Sequence, residues 1–101
     1  MIRHSVIFKF KTEIGETEKQ AFIKAAHKLS RIKGMQNLEV LKQTSPKNAF
    51  EFGILIQFED METYEKYAIH PDHTLFIQNY WLQMVDAFLE IDYEAMTPSV
   101  F

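Results

Sequence analysis

The chain has 101 residues, 25% of them charged, and a formal net charge of -3, which suits one globular domain over residues 1–101 and hardly two. Lys and Arg are interleaved with Asp and Glu, so there is no basic stripe for a nucleic-acid partner. There is no cysteine, which removes disulfide scaffolds, thiolate metal sites and cysteine nucleophiles, and no apolar N-terminal run or membrane-length segment, so a cytoplasmic protein without membrane contact is expected.

Residues 2–11 alternate with period two: Ile2, His4, Val6, Phe8 and Phe10 share one face and Arg3, Ser5, Ile7, Lys9 and Lys11 the other. That pattern predicts a strand buried mainly on one side, with His4 pointed into an apolar stripe. The period then changes. Phe22, Ala25, Ala26, Leu29 and Ile32 are spaced for one face of a helix, with Thr17 and Gln20 as a capping box, cations in the last turns and Gly34 just beyond the end. His27 falls off the apolar face and is expected in solvent.

Residues 37–44 form a weaker alternating strand, 45–49 a turn, and "FEFGILIQF" the strongest strand, with Phe50, Phe52, Ile54, Ile56 and Phe58 in one stripe. Asp60 is placed to cap the next helix, in which Met61, Tyr64 and Tyr67 share a face. Pro71 disfavours helix at His70, so that helix should end there. A second helix, capped at or near Asp72, is expected to run through "TLFIQNYWLQMVDAF". The segment "FLEIDYEAM" alternates again, with Leu89, Ile91, Tyr93 and Ala95 together, and residues 97–101 read as a tail.

The order strand, helix, strand, strand, broken helix, strand is that of a ferredoxin-like split β-α-β unit. An α+β two-layer sandwich follows, with helices over the apolar stripes. The opposite sheet face carries Ile7 and Leu55 among polar groups. A half-apolar open face is a liability for a monomer, and a homodimer that packs two such faces together removes it.

The opening "HSVIFKFK" and the later "YAIHPDH" together resemble the stress-responsive dimeric α/β-barrel (Dabb) family over nearly the whole chain. The resemblance implies a dimer in which two four-stranded sheets form one barrel with helices outside. Most of that family has no assigned activity. One plant branch resembles polyketide cyclases of the olivetolic acid type, which close a poly-β-ketone by intramolecular aldol chemistry without a cofactor. By motif, Tyr67 matches that branch's catalytic tyrosine, His73 its catalytic histidine, His4 a first-strand histidine near the pocket and His70 the histidine before the proline. Where that branch has a further histidine in the third strand, this chain has Phe52.

Three readings of this cluster follow. In the first, a pocket between sheet and helices holds a small apolar or carbonyl-bearing molecule. It is lined by His4, Tyr67, His70, His73 and Phe52, with His73 as base and Tyr67 as donor to a developing enolate. In the second, the residues are structural: His73 caps the second helix, His70 satisfies a backbone carbonyl, and His4 is a core histidine in a non-catalytic dimer. In the third, His4, His70, Asp72 and His73 ligate a metal. Pro71 breaks the helix that would align the H-x-x-H pair, so no metal is expected. Haem degradation and quinol oxidation occur on related barrels, but Asn79 and Trp81 would splay apart on a helix and give no constellation for either.

Overall fold

A computed structural model describes residues 1–96 and Pro98; of the 97–101 tail, the remainder lies outside the described residues. Four strands and three helices follow in the order β1 (Ile2–Phe10), α1 (Glu16–Lys28), β2 (Gln36–Lys42), β3 (Phe52–Phe58), α2 (Met61–Ala68), α3 (Pro71–Phe76) and β4 (Val85–Glu94). Helix α3 continues through a wider π-type stretch, Ile77–Trp81, and a last turn, Leu82–Met84. The sheet order is β2-β3-β1-β4, antiparallel throughout, and the helices cover one side. This is the ferredoxin-like α+β sandwich that the order of elements predicted.

The alternation in β1 sets the core. Ile2, Phe8 and Phe10 are buried and face Phe22, Ala26 and Leu29 of the first helical segment. Phe8 is the hub, with Phe22 at 5.3 Å and Trp81 at 5.1 Å between ring centroids. Each fully buried ring of this size contributes about 1.5–3 kcal/mol. Gly34, at φ 93°, lies where a Cβ would collide with Thr63 Cγ2. A side chain there would therefore both strain the backbone and push α2 away.

Several boundaries differ from expectation, each for a physical reason. The cap of α1 is two residues earlier: Glu18 Oε1 accepts from the Gly15 N–H at 3.3 Å, while Gln20 is drawn to Glu16 at 3.2 Å. Asp60 caps α2 as expected, accepting from the Thr63 N–H at 2.8 Å. Residues 85–88 are strand, not helix. β1 is nine residues long, and leaving its edge unpaired would cost more than the last helical turn gains, so Val85–Phe88 pair with Phe8–Phe10 across a register shift.

The largest departure concerns the faces of β4. His4 is opposite Asp92, Val6 opposite Glu90 and Phe8 opposite Phe88, so the acidic set lies on the side of the helices. Leu89, Ile91 and Tyr93 point to the open face with Ile7 and Leu55. The apolar stripe of β4 is therefore outside the helix-covered layer, contrary to the simplest amphipathic reading.

Candidate functional site

The helix break and the N-terminal end of β1 enclose a cavity of about 330 Å³, within the range of small-molecule sites. Its walls are apolar: Val6, Ile54 and Ile56 from the sheet, Leu29 after α1, and Phe76, Ile77 and Trp81 from the last helical segment. It opens past Leu82, Phe88 and Glu90, all exposed. The π-type winding advances Ile77 and Trp81 around this space, a use of π stretches common near functional sites. Into the apolar wall project His4, Tyr67, His73 and Glu90.

His73 is held at one nitrogen. Its Nδ1 lies 3.1 Å from the carbonyl oxygen of Ala68, an acceptor only, so Nδ1 carries the proton and the neutral ring keeps its lone pair on Nε2. Nε2 has no hydrogen-bond partner among the described residues. Burial holds the His73 pKa below the ordinary histidine value, against the opposing effect of the Ala68 carbonyl. The neutral, proton-accepting form is therefore favoured at neutral pH.

Tyr67 packs beside it, with ring centroids 4.4 Å apart. Burial, reinforced by the charge of Glu90, raises the Tyr67 pKa well above its usual value, which keeps the hydroxyl protonated and able to donate. That hydroxyl has no hydrogen-bond partner among the described residues. No fully buried side-chain oxygen or nitrogen there lacks one, so the Tyr67 oxygen meets the cavity.

His4 is differently placed. Its Nδ1 donates to Asp92 Oδ1 at 2.6 Å. Tyr64 donates its hydroxyl proton to Asp92 Oδ2 at 2.9 Å, and the Tyr64 oxygen lies 2.9 Å from the same His4 nitrogen. Burial first, and hydrogen bonding to Asp92 second, push the Tyr64 pKa well above normal. His4 Nε2 faces Glu90 Oε1 at 3.6 Å. His4 is 6% exposed, and its carboxylate partners explain how a polar ring sits in an apolar stripe.

The sequence-predicted residues are thus divided. His4, Tyr67 and His73 converge on one cavity. His70 does not line it: its Nδ1 accepts from the Asp72 N–H at 3.0 Å and caps α3, with Pro71 as first helical residue. His70 and His73 have exchanged their expected structural duties, one capping a helix start and the other closing a helix end. Phe52 is also outside, packed against Phe8 and, edge-on, Phe10, with ring centroids 6.0 and 5.5 Å away. The register puts Ile54 and Ile56, opposite Val6 and His4, at the cavity wall in its place. Tyr64, Glu90 and Asp92 were not anticipated, because each depends on the face that β4 presents. Among the described residues, no group of three or more His, Asp or Glu side chains is arranged to hold a metal ion. None of the helices described is long and apolar enough to cross a membrane.

Comparison with known proteins fits this arrangement. The sequence profile of Dabb, the stress responsive A/B barrel domain, matches residues 2–95. The chain belongs to the Dabb family. A Dabb protein of ferredoxin-like fold from Mesorhizobium loti superposes with a TM-score of 0.90 at 40% identity, covering 95% of this chain and 97% of that one. Olivetolic acid cyclase from Cannabis sativa is 29% identical over 91 residues, 83% of this chain and 90% of the cyclase. A dimeric ferredoxin-like protein of unknown function from Bacteroides fragilis shares the fold, with a TM-score of 0.73 at 19% identity over 93% of this chain and 95% of that one. The Dabb assignment thus rests on the whole domain and not on the two short motifs alone.

Proposed function

We propose that this Dabb protein binds a small, largely apolar carbonyl compound between sheet and helices and catalyses proton transfer next to the carbonyl, as in a cofactor-independent cyclase or lyase. In this reading His73 Nε2 removes the α-proton and the Tyr67 hydroxyl donates to the oxygen on which enolate charge develops. The single observation that carries it is the pairing of two unsatisfied groups of opposite kind in one open cavity. His73 is neutral with an outward lone pair, Tyr67 is neutral with an outward O–H, and their rings are 4.4 Å apart. Burial keeps both groups in the neutral forms these roles start from. The olivetolic acid cyclase among its relatives supports the cyclase form of this reading.

The test is direct observation of the histidine. With 4-phenylbutan-2-one as probe, the nitrogen resonance of His73 Nε2 is expected to shift on binding while that of exposed His27 does not. If His27 moves as much as His73, or neither moves at millimolar probe, the site reading is wrong.

We also propose that the working unit is a homodimer formed through the open sheet face. Leu41, Leu89 and Tyr93 are 42%, 48% and 52% exposed there, with Ile7, Leu55 and Ile91 between them. A four-stranded sheet with two edges cannot close a barrel alone, and one of its structural neighbours is described as dimeric. Light scattering should give twice the chain mass, and Leu89→Lys should shift the protein towards monomer. A monomeric wild type at micromolar concentration would refute the dimer.

A further inference from the structure

Resting on the carbonyl-binding reading above, we infer that Glu90 determines specificity: it selects ligands that carry a hydroxyl donor beside the carbonyl-bearing part and rejects ligands that carry a carboxylate. Among the described residues lining the cavity, Glu90 is the one carboxylate. It is there because the even-numbered set of β4 faces the helices, opposite Val6. Its Oε1 lies 3.6 Å from His4 Nε2, beyond the range of a good hydrogen bond. The acceptor capacity of Glu90 is therefore unspent among the described residues. Asp92, by contrast, has both oxygens engaged by His4 and Tyr64 and does not line the cavity.

Glu90 is 55% exposed and stands at the mouth, so the charge itself is hydrated and carries no large burial penalty. A ligand entering past it leaves water for walls of Val6, Ile56 and Trp81, where charges screen each other less than in bulk. A second carboxylate placed there would face Glu90, and of the two histidines lining the cavity His4 is committed to Asp92 and His73 is held neutral by burial. A hydroxyl would instead find an ionised acceptor, the stronger kind of hydrogen bond. The field of Glu90 reaches the reacting pair as well, since its charge bears on both Tyr67 and His73.

The experiment uses three matched probes, 4-phenylbutan-2-one and its meta-hydroxyl and meta-carboxylate derivatives, with dissociation constants measured by titration calorimetry at pH 7.5. Wild type should bind the carboxylate about tenfold or more weakly than the parent ketone, and the hydroxyl derivative at least as tightly as the parent. Glu90→Gln should bring the carboxylate to within about threefold of the parent and weaken the hydroxyl derivative. Thermal melting of this variant, altered on an exposed strand position, should match wild type. Equal binding of the three probes by wild type, or an unchanged carboxylate-to-parent ratio in Glu90→Gln, overturns the role of Glu90 alone. Failure of all three to bind wild type overturns the pocket reading and this role with it.

Discussion

His4 and His73 line the same cavity from opposite sides, and their surroundings differ in a way that assigns them different work. His4 rises from an inner strand of the sheet, has Asp92 at 2.6 Å on one nitrogen and Glu90 at 3.6 Å from the other, and shares Asp92 with Tyr64. His73 sits at a junction between two short helices, with a single backbone carbonyl on Nδ1 and no described partner on Nε2. A ring with a carboxylate near each nitrogen, one of them in a short charge-assisted hydrogen bond, is held and oriented by the protein. One left half-satisfied at a cavity is available to a ligand. The difference teaches that histidines close together can be sorted by what remains unsatisfied, which sequence spacing does not disclose.

The contrast is broken most severely by removing the available histidine. His73→Ala is expected to lower any ketone proton-transfer rate by about 10²-fold or more, the usual worth of a general base. It should cost only about 1 kcal/mol of stability, because one hydrogen bond from a half-buried ring is lost. The mirror experiment is His4→Ala. Here the loss should appear mainly in stability, about 2 kcal/mol or a fall in Tm near 10 °C, because a buried ring and its bond to Asp92 both disappear. Equal effects of the two substitutions on stability would erase the distinction.

Tyr64→Phe sharpens the same comparison at smaller scale. It removes one donor to Asp92 while keeping the stacking on Phe58, whose ring is 5.1 Å away and nearly parallel. A loss of about 1 kcal/mol in chemical denaturation is expected. Tyr67→Phe, at the cavity, should leave stability within about 0.5 kcal/mol, because its hydroxyl has no described partner to lose.

The smallest effect is on pH dependence. The folded chain holds a proton on His73 less tightly than the unfolded chain does, so protonation favours unfolding. The contribution of neutral His73 is complete above the ordinary histidine value of 6.5 and is lost as pH falls from there through the lowered folded-state pKa. Wild type should therefore lose more stability between pH 7 and pH 5 than His73→Gln does, as read by urea unfolding at each pH. Equal slopes would mean that burial does not hold His73 neutral.

Much of this arrangement was legible in the residues. The alternation of β1 and β3, the break at Pro71 and the cap at Asp60 are local signals, and local geometry obeyed them. The convergence of His4, Tyr67 and His73 followed from element order together with the resemblance to Dabb proteins. What escaped was set by tertiary pairing. The segment 85–88 reads equally as helix or strand, and β1 decided the matter by needing a partner. The two faces of β4 carry one apolar and one acidic set, and the apolar set was expected under the helices. Once the open face of the sheet is itself apolar, that expectation loses its force. Only the register of β4 against β1 then shows that Glu90 and Asp92 lie above His4's side of the sheet. Phe52 was misplaced by a shorter reach: the substitution of a motif position says nothing about whether that position touches the cavity or the core behind it.

The central claim is that His73 acts as a base on a carbonyl compound bound against Tyr67. Solvent deuterium exchange at the α-carbon of 4-phenylbutan-2-one, followed by proton NMR at pD near 7.5, measures that step alone. Exchange faster than buffer with wild type and with His27→Ala, but at the buffer rate with His73→Ala, is the predicted result. Exchange no faster than buffer with wild type, or acceleration that survives in His73→Ala, would contradict the account.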